Sequence, residues 1–98
     1  MEPPFPATLP TIHLNGTSAS NLEAEYAAVR LMIGLAIQSL GRATCNARDF
    51  HPQGPGAYEK ALAERGQVFE NLSKAAEYAQ AWEFHAHDHL RERQPKAS

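Results

Sequence analysis

The 98 residues suffice for one small domain and not for two. Apolar residues make up 43%, but 17 of them are alanines, which leaves only 24 Val, Ile, Leu, Met, Phe, Trp and Tyr, a thin core for a monomer. Nine Lys+Arg against eleven Asp+Glu give a net charge of -2, which excludes both the clustered basic excess of a nucleic-acid-polymer binder and the strong acidity of a DNA mimic. One cysteine, Cys45, excludes a disulfide framework within the chain. No apolar run approaches the roughly 20 residues of a membrane span. No basic-then-apolar signal pattern opens the chain, so no membrane partner and a cytoplasmic location are expected.

Residues 1–17 read as an extended, proline-rich arm, because Pro3, Pro4, Pro6 and Pro10 fix φ and remove backbone donors. Thr11-Ile12-His13-Leu14 alternates polar and apolar residues, as an extended stretch lying on another surface does. Asn15-Gly16 marks a turn, since both tolerate positive φ.

The main body, 18–94, reads as a helical hairpin with its first helix at about 18–41. Ser18 and Ser20 compete as N-cap, and Ser20-Asn21-Leu22-Glu23 has the form of a capping box. Leu22, Tyr26, Val29, Ile33, Ala36 and Leu40 form one helical face, and Gly41 suits a C-terminal stop. The stretch Leu31 to Ile37 is apolar almost all round, more than one partner helix can cover. Self-association into a homo-oligomeric helical bundle is therefore expected.

A loop follows over 42–54, and a second helix over about 55–93, with Pro55 at its first turn. Tyr58, Leu62, Phe69, Leu72, Ala76 and Ala79 lie at helical spacing, with Val68, Ala75 and Trp82 on a flanking stripe. Residues 95–98 are a tail. At 1.5 Å per residue the helices are roughly 33 and 57 Å long, so an antiparallel pairing leaves the end of the second helix overhanging. That overhang holds Trp82, Phe84, His85, His87, His89 and Leu90, and either the arm or a neighbouring subunit must cover Trp82 and Phe84. The fold class is all-α.

The chemistry concentrates in two places. Asn46, Arg48, Phe50, His51 and Gln53 fall within eight residues and lead into Tyr58 and the free N–H groups of the second helix. A guanidinium near a helix N-terminus favours an anion such as phosphate, and Phe50 or Tyr58 can stack a planar base. The alternative is an ordinary interhelical loop, with Arg48 paired to Asp49 or capping the first helix and Phe50 plugging the core. His13, Asn15, Thr17 and Ser18 form a second candidate anion pocket at the start of the first helix. Its alternative is a capped helix entrance with Leu14 as a hydrophobic staple. Only antiparallel pairing of two chains can join these clusters.

His85 and His89 share a helical face at metal-ligand spacing, with Asp88 near, but solvated or packing histidines near the chain end account better for them, and no metal is expected. Cys45 with His51 lacks the third group and oxyanion signature of a nucleophilic site. No phosphate-loop, HExxH or GxSxG motif is present. The chain reads as a non-enzyme without cofactors.

Thr11-Ile12-His13-Leu14-Asn15-Gly16-Thr17-Ser18 and Asn46-Ala47-Arg48-Asp49-Phe50-His51-Pro52-Gln53-Gly54-Pro55 resemble a family of small uncharacterised proteins of tailed bacteriophages and prophages. In that family an HLNGTS-like opening precedes one helix and an NGRDYYxQG-like loop precedes the next. The resemblance spans about Thr11 to Ala86 and departs at Ala47, where glycine is common, and at Phe50-His51, where two tyrosines are common. In size, hairpin layout and phage origin such proteins are similar to sponges that sequester cyclic-nucleotide immune signals, an analogy of architecture. The resemblance implies a non-enzymatic counter-defence protein binding a small anionic nucleotide at subunit interfaces. Ligand groups would come from Asn46, Arg48, Phe50, His51, Gln53, Tyr58, His13, Asn15, Thr17 and Ser18. The alternatives are an anti-CRISPR-like inhibitor of a host protein complex, or a structural accessory protein.

Overall fold

The structure is a computed structural model and describes residues 6–93. Met1 to Phe5, with Pro3 and Pro4 of the arm, and the tail 95–98 lie outside the described residues. Helix α1 spans Ala19–Arg42, a short 3₁₀ helix spans Ala47–Gln53, and α2 spans Ala57–Arg93. No strand occurs among the described residues.

The two long helices run antiparallel, as their pairing residues show. His87 Nδ1 meets Glu23 Oε2 at 2.5 Å. The Tyr26 ring stacks on Trp82 at 4.6 Å, and Arg30 forks onto Glu83 with Nε–Oε1 at 2.6 Å and a second hydrogen bond to Oε2 at 3.0 Å. Near the far end of α1, the Arg65 guanidinium donates to the carbonyls of Leu40 and Ala43. This register reverses the overhang expected from the helix lengths. α1 lies against the C-terminal two-thirds of α2, and Ala57 to Glu64 project about 12 Å beyond it. The cause is the connection. Residues 43–56 are not a tight turn but carry the 3₁₀ helix back along the first turns of α2. Trp82 is therefore flanked by α1, not left beyond it.

The arm supplies the remaining cover at that end. Ile12 packs with Tyr26, Trp82 and Leu90 around buried Ala19, Leu22 and Ala86, and His85 Nε2 meets the Pro10 carbonyl at 2.7 Å. Phe84 stays exposed, with the Arg30 guanidinium 6.0 Å over its ring.

Local signals resolve as follows. Ser18 is the N-cap of α1, its Oγ accepting from Asn21 N at 3.1 Å, so the capping-box register at Ser20 is not used. Gly41 lies inside α1, which ends at Arg42 on an extended Ala43, and no left-handed glycine terminates it. Arg65 donates to the Leu40 and Ala43 carbonyls there, and Ala43 N also donates to Leu40 O. Pro55 precedes α2 by two residues, and Gly56, at φ 88°, turns the chain into it. Asn15-Gly16 is a turn without positive φ: Gly16 N donates to His13 O at 3.0 Å. A Cβ on Gly16 would stand 2.9 Å from Nε2 of the exposed His13 ring, which is free to turn away, so neither φ nor packing demands the glycine. Leu14 is 98% exposed and staples nothing; Ile12 does the packing.

Burial is sparse. The buried apolar residues are Ala19, Leu22, Ala79, Ala81 and Ala86, and no large side chain is fully enclosed among the described residues. Small residues let the helices approach closely but bury little area, at about 25 cal/mol per Å². Meanwhile Leu31, Met32 and Leu35 are 60%, 58% and 48% exposed. The chain measures 67 × 26 × 22 Å, a rod and not a ball. Burial, with Tyr78 and Glu25 nearby, pushes the Tyr26 phenol above its ordinary 10.0, and the Glu83 hydrogen bond raises Arg30 despite partial desolvation.

Candidate functional site

The loop between the helices owes its form to Gly54 and Pro52. The 3₁₀ helix tightens residues 47–53, with Asp49 N donating to Asn46 O at 3.1 Å and Gly54 N closing onto His51 O at 3.2 Å. Gly54 has φ 94° and Gly56 φ 88°, conformations that L side chains rarely adopt, and the two together swing the chain back toward α2. The result seats Phe50 against Tyr58, ring centroids 5.9 Å apart and planes tilted by 46°.

Those rings border a hollow of about 160 Å³ lined by Ala47, Phe50, His51, Gly54, Pro55, Gly56, Tyr58 and Glu59. Of the residues expected there, Phe50, His51 and Tyr58 come together. Asn46, Arg48 and Gln53 are exposed on the same loop but do not line the hollow. In a 3₁₀ helix residues three apart eclipse, so Arg48 lies on the same edge of that helix as His51. Arg48 neither pairs with Asp49 nor caps α1. Among the described residues no ion pair or hydrogen bond uses it, and the capping role belongs to Arg65. Phe50 does not plug the hairpin core, which is formed at the other end.

Glu59 was not among the expected residues, although an acid in the first turn of a helix is a recognisable signal. Its carboxylate in the wall means that the hollow itself is not a phosphate cradle. Its walls are aromatic on one side and acidic on another, and Arg48 is not among the lining residues.

The second cluster is elsewhere. His13, Asn15, Thr17 and Ser18 are exposed at the start of α1, separated from the loop by the 24 residues of that helix, about 36 Å. The Ser18 hydroxyl is engaged as N-cap and the His13 carbonyl as turn acceptor. One chain therefore cannot combine the two clusters.

Among the histidines of α2, His85 holds the arm and His87 meets Glu23, so each has a structural partner. No group of three His, Cys, Asp or Glu suited to a metal ion occurs among the described residues. No described helix is long and apolar enough to cross a membrane. Compared with protein-family models, curated proteins and solved structures, the chain matches none.

Proposed function

We propose that this chain is a non-enzymatic binding protein that captures a small anionic nucleotide at the loop between its helices, as a homo-oligomer. The observation that carries the reading is an aromatic-walled hollow with an exposed, unpaired arginine on the same 3₁₀ helix. A base stacks on Phe50 or Tyr58, whose rings already pack on each other, with its N–H groups donating to Glu59 and its polar edge meeting His51. The phosphate stays outside, on Arg48, where it keeps solvent and gains a charge-assisted hydrogen bond. Asn46 and Gln53 flank the sugar.

The size of the hollow supports the oligomeric part. About 160 Å³ is below the roughly 300–1,000 Å³ of ordinary ligand pockets, so one chain's hollow holds a fraction of a nucleotide, and an adjoining copy would enclose more of it. The resemblance to tailed-phage proteins supports the biological role: sequestering a host immune signal in the cytoplasm of an infected cell. A second reading, an inhibitor that docks on a host protein complex, draws support from the exposed Leu31, Met32 and Leu35.

The test is a calorimetric titration of wild type and Arg48→Ala with 3′,5′-cyclic AMP, cyclic di-AMP, cyclic di-GMP and their linear forms. Wild type binds one or more of these, and Arg48→Ala loses at least tenfold in affinity with helicity unchanged. Equal affinity in the variant removes Arg48 from the site. No binding across the panel removes the nucleotide reading and favours the inhibitor.

A further inference from the structure

The loop hollow carries an acceptor that the fold itself does not use. The Glu59 carboxylate lines the hollow and stays exposed, and among the described residues no ion pair or hydrogen bond engages it. The residues three and four positions away, Pro55, Gly56, Leu62 and Ala63, include no base to pair with it. Glu70, further along α2, shows the ordinary fate of a solvated acid: it pairs with Lys74, four residues on, at 3.6 Å. His51 shares the hollow, and its ring also has no partner among the described residues. The walls therefore present two adjacent acceptor oxygens and a ring N–H beside the faces of Phe50 and Tyr58.

We propose that these groups select guanine, so that the captured ligand is a guanine nucleotide; the inference rests on the nucleotide reading above and adds the identity of the base. A carboxylate accepts from two donors side by side and repels any lone pair set against it. Among the five common bases only guanine carries two donor nitrogens together on one edge, N1–H and the 2-amino group, with the O6 acceptor next to them. Glu59 accepts from those two donors, and the His51 N–H donates to O6. Adenine sets N1 beside its one amino group, and cytosine sets N3 beside its own, so each turns a lone pair against one carboxylate oxygen. Uracil and thymine offer a single N–H between two carbonyl oxygens. The hollow holds a fraction of a nucleotide, and the base is that fraction, with the phosphate left outside to Arg48.

A bidentate pair between a side chain and a base discriminates by about tenfold or more, and the exposure of Glu59 holds the effect near the lower figure. Hypoxanthine keeps N1–H and O6 but lacks the amino group, so its nucleotide falls between guanine and adenine. Glutamine at position 59 replaces one acceptor oxygen by an N–H donor, the amide pattern that pairs with adenine. Removing the negative charge also helps every anionic ligand alike, an effect that cancels in the ratio of guanine to adenine affinity.

The test is calorimetric titration of the full chain as wild type, Glu59→Gln and Glu64→Gln. The probes are 3′,5′-cyclic GMP, cyclic IMP and cyclic AMP, with cyclic di-GMP and cyclic di-AMP as a second set. Wild type prefers the guanine member of a set by about tenfold over the adenine member, with the inosine nucleotide between. Glu59→Gln brings that ratio to one or below at unchanged helicity. Glu64→Gln makes the same charge change at an exposed residue away from the hollow and keeps the wild-type ratio. Equal affinities or an adenine preference in wild type overturn the guanine assignment and leave nucleotide capture standing. A guanine preference that survives Glu59→Gln, or that Glu64→Gln abolishes equally, overturns Glu59 as the reader of the base. Absence of binding to every probe overturns both the assignment and the capture reading beneath it.

Discussion

Arg65→Ala is the most informative single change to the fold. The guanidinium is half-buried and donates to the Leu40 carbonyl and, at 2.8 Å, to the Ala43 carbonyl, while its plane stands 5.5 Å from the Phe69 ring. It therefore adds a second donor to the Leu40 carbonyl, which also accepts from Ala43 N at 3.1 Å, supplies a donor to the Ala43 carbonyl, meets the negative end of the helix dipole and packs on an aromatic. A hydrogen bond involving a charged group contributes about 1.5–3 kcal/mol and an exposed cation–π contact about 0.5–1 kcal/mol. The contributions are not additive, because the freed carbonyls regain water. The expected loss is about 2–3 kcal/mol, and for a domain of this size it lowers the melting temperature by about 10 °C. Arg65→Lys keeps the charge but reaches one carbonyl, so it recovers part of the loss. The assay is urea and thermal unfolding followed at 222 nm at one fixed protein concentration, since association shifts apparent stability. A loss below about 0.5 kcal/mol for Arg65→Ala would refute the capping role and the hairpin register built on it.

Two further outcomes follow from local physics. Ser18→Ala removes the acceptor for Asn21 N and costs about 1 kcal/mol in the same unfolding assay, whereas Ser20→Ala costs a few tenths; the reverse order would return the cap to Ser20. The raised Tyr26 phenol favours the protonated form in the folded state, so its stabilisation is intact below the ordinary value of 10.0 and is lost as pH rises above it. Wild type should lose stability in that alkaline range more steeply than Tyr26→Phe, and parallel curves would show that Tyr26 has no part in the effect.

How much of this was legible in sequence depended on how far each signal reached. The helices announced themselves because Leu22, Tyr26 and Leu40 in α1, and Leu72, Ala76 and Ala79 in α2, keep one period over many turns. The breadth of the Leu31–Ile37 apolar segment correctly warned that one partner helix does not cover it. Helix register was not legible, since lengths fix an overhang but not its end. The outcome hung on a 3₁₀ helix whose pattern, interrupted by Pro52, carries no periodic signal. Arg65 escaped notice because a lone arginine on a helix reads as a solvated charge until the carbonyls it serves are placed. At the loop, Phe50, His51 and Tyr58 were found through their chemistry, whereas Glu59 and Pro55 line the hollow by virtue of the turn at Gly54 and Gly56. The turn at Asn15-Gly16 was legible from its residue types, although it closes through Gly16 N and His13 O without a positive φ.

The central claim is capture of a nucleotide by an assembled hairpin, and native mass spectrometry of the purified protein with and without the nucleotide panel tests it most directly. The account predicts a discrete oligomer that retains a nucleotide mass at an integer stoichiometry. A ligand-free monomer across the whole panel contradicts it.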